Sequence, residues 1–314
     1  MRISLLQERE PFAEILQQTL AEYWGELYGG EYQVEWVDRG QSPSKPAGQE
    51  WLANIYLNAI FRPDVDSQAF DPIQREYGRS VVAWKAPIQR QYVRLATSRI
   101  ASRVFSQARM FVSPEIEDSK SQLIIPGNQK IRILNHRAGT STCLLKNGFS
   151  DEAFKNEIRA RQLAAQHDVP VPRLDQVSDR WFTEQYVSAT PLNRLDSPER
   201  VSQFLKNAVS ALKTFVSQTQ QQVLLSDYTD GLVSEMQSYV GRNNRYKPQF
   251  RDAIQTRVHD LQQLAMESAD ADEEVVTAET HGDFQPANIL VRDEDYWLID
   301  WENSRRRQSS YDLF

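Results

Sequence analysis

His281-Gly282-Asp283-Phe284-Gln285-Pro286-Ala287-Asn288 is followed by an apolar run, Ile289-Leu290-Val291, a polar stretch, Arg292-Asp293-Glu294-Asp295, and a second apolar run, Tyr296-Trp297-Leu298-Ile299, that ends in Asp300-Trp301-Glu302. Two short apolar runs around a polar turn predict a hairpin. Such a hairpin holds Asn288 at its start and Asp300 at its end, on the same side. An Asp or Asn beside a turn is ordinarily a backbone cap, so no single residue decides the reading. Together they place a carboxylate, an amide and a second carboxylate in the order that phosphoryl transfer from a nucleotide requires. That reaction depends on an oriented acceptor hydroxyl and neutralised charge rather than on covalent chemistry. Asp283 is the candidate to orient the hydroxyl and accept its proton. Asn288 and Asp300 offer the hard oxygen ligands that magnesium prefers.

With Tyr311-Asp312-Leu313 downstream, these segments resemble the catalytic and metal-binding segments of the aminoglycoside phosphotransferase and choline kinase-like families, distant relatives of the protein kinases. The resemblance implies an α+β, bilobal protein-kinase-like fold, with a small antiparallel-sheet N-lobe and a mainly helical C-lobe. It implies that Asp283 is the catalytic base, that His281 and Asp312 brace its loop, and that Asn288 and Asp300 bind Mg2+. The implied activity is Mg-dependent transfer of the γ-phosphoryl group of ATP, or of GTP, to a hydroxyl of a small-molecule or sugar acceptor. A protein kinase fits less well, because His281-Gly282-Asp283 and Ile299-Asp300-Trp301-Glu302 stand where His-Arg-Asp and Asp-Phe-Gly are usual. A nucleotide-sensing pseudokinase or binding module is the alternative from a different class.

A kinase-type N-lobe needs a strand lysine for the phosphates and a helix glutamate to hold it. Gln122 to Ile125 and Lys130 to Leu134 read as strands around Pro126-Gly127-Asn128-Gln129, and Ser141 to Lys146 as a third strand. A helix after Ser150-Asp151 carries Phe154, Ile158, Leu163 and Ala164 at helical spacing. The resemblance assigns the phosphate-binding lysine to Lys146 and its partner to Glu157. Val169-Pro170-Val171-Pro172 then leads to a strand, Trp181 to Val187, where the hinge backbone at Glu184, Tyr186 and Val187 is expected to meet the adenine. The phosphate-covering loop carries one glycine, Gly127, where protein kinases have several; this departure keeps the pseudokinase alternative open.

The chain has 314 residues, net charge −7 and 25% charged residues, an ordinary globular balance. That charge argues against a nucleic-acid partner. Its one cysteine, Cys143, excludes an internal disulfide and is expected to be a small buried apolar group in the third strand. Neither a secretory signal nor a membrane-length apolar run is present, so a soluble, cytoplasmic protein is expected.

Residues 1–115 lie outside the resemblance and read as a mainly helical extension, followed by an N-lobe at 116–187 and a C-lobe at 188–314. Further helices usual in the resembled families would follow Phe314, so the C-lobe is read as shortened or minimal. In the extension, Phe12, Ile15, Leu16, Leu20, Tyr23 and Trp24 form one helical stripe. Trp51 to Phe61 is expected as a short helix, and Ile88, Tyr92, Leu95, Ala96, Ile100 and Val104 as the stripe of a third. Segment 75–109 carries eight basic residues against one acid, Glu76. It reads as a solvated helix face, or as a surface for peripheral contact with a membrane or glycolipid. Ser197-Pro198-Glu199 starts a further helix, and Leu232 to Val240 and Phe250 to Ala265 read as two more.

Overall fold

The structure, a computed structural model, describes residues 3–44, 48–77, 84–242, 248–268 and 273–313. The chain opens with α1 (Ile3–Arg9) and α2 (Phe12–Tyr28), then β1 (Gln33–Asp38), β2 (Gln49–Asn54) and β3 (Ala59–Phe61). Three helices follow, α3 (Asp71–Tyr77), α4 (Lys85–Ala96) and α5 (Ser102–Phe105), before β4 (Ala108–Ser113). The small lobe continues with β5 (Gln122–Pro126), β6 (Lys130–Asn135), β7 (Thr140–Leu145), α6 (Glu152–Gln166), β8 (Leu174–Val177) and β9 (Trp181–Gln185). All nine strands form one antiparallel sheet in the order β1-β4-β2-β3-β5-β6-β7-β9-β8. The extension is mainly helical, yet four of its strands prolong the small-lobe sheet. The boundary expected at 115/116 falls between strands of that sheet.

One face of the sheet is covered by α1 and α2. Leu16, Leu20 and Trp24 meet Trp51, Met110, Ile131, Ile133 and Leu144 there. The opposite face is covered in two places. Phe70 and Ile73 with Val93 and Ala96 of α4 lie on Leu52, Phe61, Leu123 and Leu134, whereas Phe154 and Ile158 of α6 lie on Cys143, Leu145 and Phe182.

This double coverage explains why Trp51 to Phe61 forms the β2–β3 hairpin and not the expected helix. Trp51 and Ala53 point to one core and Leu52 to the other. A strand buried on both faces reads as a continuous apolar run, without the alternation that would mark it. Asn54 turns the chain by accepting from Leu57 N at 3.0 Å and donating to Phe105 O at 3.1 Å. The third expected helix also divides: α4 ends at Ala96, Ser98 Oγ accepts from Ala101 N at 3.1 Å, and α5 starts afresh. Ile88, Ile100 and Val104 of the expected stripe are exposed.

Within the basic segment, Arg75 donates to Ser188 Oγ (2.6 Å), Arg103 pairs with Glu50 (2.6 Å) and Arg109 donates to Gln41 O (2.9 Å). Arg79 lies outside the described residues.

The large lobe comprises β10 (Thr190–Pro191), α7 (Pro198–Gln218), β11 (Gln221–Leu224), α8 (Leu225–Arg242), α9 (Pro248–Ser268), β12 (Glu274–Thr280), β13 (Ile289–Arg292), β14 (Asp295–Leu298) and β15 (Arg305–Gln308). Ser197 caps α7 by accepting from Arg200 N at 3.3 Å, with Pro198 in the first turn, an N-terminus whose cap contributes about 1 kcal/mol. Its apolar face, Phe204, Ala208, Leu212 and Phe215, packs on Ile289, Val291, Leu298 and Trp301, so the helix supports the β13–β14 hairpin from behind. Arg305, Arg306 and Arg307 lie in β15, paired with β12. Among the described residues, no helix is long and apolar enough to cross a membrane.

Candidate active site

The hairpin sets the site. β13 and β14 pair from Ile289↔Leu298 to Arg292↔Asp295, and Ile299 N donates to Asn288 O at 3.0 Å. Asn288 and the residue before Asp300 are therefore tied across the open end of the ladder, as the two apolar runs predict. Asp300 takes a left-handed conformation, φ 69° and ψ 57°. A non-glycine residue accepts that conformation only where its surroundings enforce it. Here Trp301, fully buried, fixes the next position by donating from Nε1 to Leu298 O at 3.2 Å and packing edge-on to Phe215.

The loop carrying Asp283 is braced from below. The backbone N–H groups of His281 and Gly282 donate to the two oxygens of Asp312 at 2.5 and 2.9 Å. The His281 ring lies 4.5 Å from that of Trp301. Its Nε2 lies 3.0 Å from Ile299 O, which can only accept, so Nε2 carries the proton and Nδ1 accepts from Asp283 N at 3.3 Å. Burial pushes the His281 pKa below its ordinary value, which keeps the neutral ring this bonding needs. Gly282 has φ 85°, and a Cβ there would stand 2.1 Å from Asn303 O; only glycine fits. Above this base, Asn288 Nδ2 donates to Asp283 Oδ2 at 3.0 Å, and Gln285 Nε2 to the same carboxylate at 3.0 and 3.1 Å.

A cleft of about 290 Å³ lies between the lobes. Its walls bring together Glu157 of α6, Glu184 to Val187 after β9, and Ile299 and Asp300 of the large lobe. The extension adds Pro72 and Arg75, a contribution that no pattern in the sequence announces. Ser141 Oγ and Arg161 Nε, both buried in this wall, have no hydrogen-bond partner among the described residues. Buried polar groups left unsatisfied are uncommon and mark places where a ligand or water completes the bonding. Burial, with the nearby carboxylates of Glu302 and Glu157, pushes the Asp300 pKa up, against the opposing pull of Lys130 and Arg132. One carboxylate and one amide oxygen, in surroundings this acidic, suit a magnesium ion, which keeps most of its shell for water and phosphate.

The structure does not bring Lys146 to Glu157. Lys146 is fully buried and binds Glu10 and Asn128 O, the latter at 2.9 Å. Glu157 is paired instead with Lys130, whose Nζ lies 2.5 Å from Glu157 Oε2 and 2.7 Å from Glu302 Oε2. Beside it, Glu184 accepts from Arg132 at 3.1 Å and from Arg161 at 2.7 Å. Gly127 closes the β5–β6 turn: its N–H donates to Lys130 O at 2.8 Å, and a Cβ would meet that same oxygen at 2.8 Å. Tyr186 N is bound to Gly139 O at 2.8 Å.

The cations paired with Glu157 and Glu184 are thus Lys130, Arg132 and Arg161, none of them among the expected site residues. Strand parity was the available signal, since Lys130 and Arg132 alternate with the apolar pair Ile131 and Ile133.

The chain shows weak likeness to several solved structures. A choline/ethanolamine kinase family protein from Mesorhizobium loti is 18% identical, with 61% of this chain and 61% of that chain covered and a TM-score of 0.37. An aminoglycoside phosphotransferase from Streptomyces rimosus is 16% identical, with 62% and 75% covered and a TM-score of 0.39. A macrolide 2'-phosphotransferase from Brachybacterium faecium is 16% identical, with 59% and 65% covered and a TM-score of 0.35. The chain thus spans about three fifths of the length of the first of these. No curated protein matches the sequence. The family model described as the phosphotransferase enzyme family matches residues 138–314, more than half of the chain and the whole of the braced loop and hairpin, and the chain belongs to that family.

Proposed function

We propose that the protein is a small-molecule or sugar kinase that transfers the γ-phosphoryl group of ATP, or of GTP, to an acceptor hydroxyl. The observation that carries this reading is the joined pair of loops: Asp283 held by Asn288 and Gln285, and Asp300 held in a left-handed turn beside the same Asn288. In this reading the acceptor O–H is hydrogen-bonded to Asp283, which takes its proton as the oxygen bonds to the γ-phosphorus. The bond from the γ-phosphorus to the bridging oxygen breaks, and the nucleoside diphosphate leaves with that electron pair. Asn288 and Asp300 would hold magnesium, which when bound neutralises phosphate charge. His281 acts through the backbone: neutral and buried, it keeps Ile299 and Asp283 at a fixed separation. The unpartnered Ser141 and Arg161 atoms in the cleft wall favour an occupant with polar groups, as a nucleotide has.

An open cavity of about 1090 Å³ is lined by Gln129, Asn156, Glu235, Tyr239, Glu302 and Arg305. It offers room for the acceptor, and the amide, carboxylate and hydroxyl groups of these side chains can hydrogen-bond a hydroxylated compound.

Calorimetry with ATP, with and without Mg2+, followed by a product assay over amino sugars, choline-like amines and free sugars, tests the reading. Asp300→Ala is expected to lose Mg-dependent nucleotide binding. Asp283→Ala is expected to keep nucleotide and lose transfer by a factor on the order of 10² or more. Turnover of Asp300→Ala at the wild-type rate would remove the assignment. Metal-independent ATP binding without transfer to any acceptor would leave a nucleotide-sensing module instead.

A further inference from the structure

Alternation along β7 decides which side chains can reach the cleft. Cys143 and Leu145 pack against α6, and Leu144 packs into the opposite core beneath α2. Lys146, one residue past Leu145, falls on the Leu144 side, where its ammonium lies 5.8 Å from the ring centre of Phe12. The β7 positions on the Glu157 side are therefore Ser141, Cys143 and Leu145, and none of them brings a positive charge.

The neighbouring strand fills the gap. Arg132 pairs in register with Cys143, and Lys130 with Leu145. Residues directly opposite one another in an antiparallel pair share a face, so both cations of β6 project to the α6 side. Lys130 sits between Glu157 and Glu302, its side chain 14% exposed, while Arg132 is 46% exposed in the cleft wall that Asp300 also lines. Arg132 uses Nη1 toward Glu184, and its guanidinium has further donors in a planar fork that matches phosphate. Resting on the kinase reading above, we infer that Lys130 and Arg132 of β6 are the phosphate-binding cations of the nucleotide site, Lys130 being positioned by Glu157 and Glu302. Lys146 instead fastens the 127–129 turn to the extension, through its bonds to Glu10 and Asn128 O and that of its N–H to Gln129 O at 3.0 Å.

The test compares ATP, in Mg2+, with adenosine, which lacks phosphates. By calorimetry Lys130→Met is expected to weaken ATP by at least about tenfold, the scale of one lost charge-assisted contact, and to leave adenosine within about twofold. Arg132→Gln, at a half-exposed position whose partner Glu184 keeps its pair with Arg161, is expected to lower ATP affinity several-fold with the same selectivity. Lys146→Met is expected to leave the ratio of ATP to adenosine affinity unchanged. A structural defect would lower both ligands together. Unchanged ATP affinity in Lys130→Met and Arg132→Gln, or a selective loss in Lys146→Met, would overturn the inference and leave the kinase reading standing. A wild-type protein that bound neither ligand would instead remove the kinase reading itself.

Discussion

Lys130 and Lys146 lie on neighbouring strands of one sheet, yet they occupy opposite kinds of surroundings. Lys130 lies on the α6 side of the sheet, between two carboxylates, with its side chain 14% exposed. Burial opposes its charge, but Glu157 and then Glu302 outweigh that and push its pKa above the ordinary value. Lys146 lies on the covered face, under Phe12 and Phe149. Burial pushes its pKa down, and the single carboxylate of Glu10 offsets only part of the effect. The comparison teaches that a lysine's role in this fold follows from which face of the sheet it leaves. Distance along the sequence from a motif does not determine it.

The largest effect that would sharpen this division concerns stability on the covered face. Lys146→Met leaves Glu10 without its ammonium partner, and breaking a buried ion pair typically costs about 3–5 kcal/mol. Chemical denaturation should show a loss on that scale, with the double variant Lys146→Met and Glu10→Gln recovering part of it. A loss below about 0.5 kcal/mol, the scale of an exposed pair, would show that the covered face carries no such burden.

Leu144→Ala, on the same face, comes next. It removes a fully packed side chain from the core beneath α2, for which about 2–5 kcal/mol is usual. Nucleotide affinity, measured where the variant is fully folded, should not change. Altered ATP selectivity in this variant would break the separation between the faces.

These contrasts also mark how far the sequence could be read. The conformation of the segment from His281 to Glu302 was legible because it is local: a tight loop, a four-residue ladder and a turn place their own side chains, and Trp301 and Gly282 lock them. The α7 start at Ser197-Pro198 was legible for the same reason. The assignment of Lys146 depended on a long-range fact, the covering of one sheet face by α1 and α2, which are more than a hundred residues away in the chain. No short pattern encodes that register. Trp51 to Phe61 failed from the same cause, since burial on both faces erased the alternation that distinguishes strand from helix.

A smaller effect would move the cation between strands. Cys143 shares the Glu157 face with Lys130, so Cys143→Lys in the Lys130→Met background restores an ammonium to that face from the strand that lacks one. Recovery of ATP affinity by a factor of about ten, roughly 1.4 kcal/mol, is expected from calorimetry. Recovery for ATP and adenosine alike would point to repaired packing and not to a phosphate contact.

The smallest effect is in alkaline stability, where the two lysines should act with opposite sign. The Lys130 pKa is raised by folding, so its contribution is fully present below the unfolded value of 10.5 and is lost as pH rises from there toward the folded one. The Lys146 pKa is lowered by folding. Its proton leaves the folded protein first, and its contribution therefore grows as pH rises from the folded value to 10.5. Denaturation curves of wild type, Lys130→Met and Lys146→Met between about pH 8 and 11 isolate each contribution as a difference, with slopes that cannot exceed about 1.4 kcal/mol per pH unit. The gap between wild type and Lys130→Met should narrow above 10.5. The stability of wild type relative to Lys146→Met should instead rise with pH below it. Slopes of one sign for both would place the two ammonium groups in equivalent surroundings and break the contrast between the two faces of the sheet.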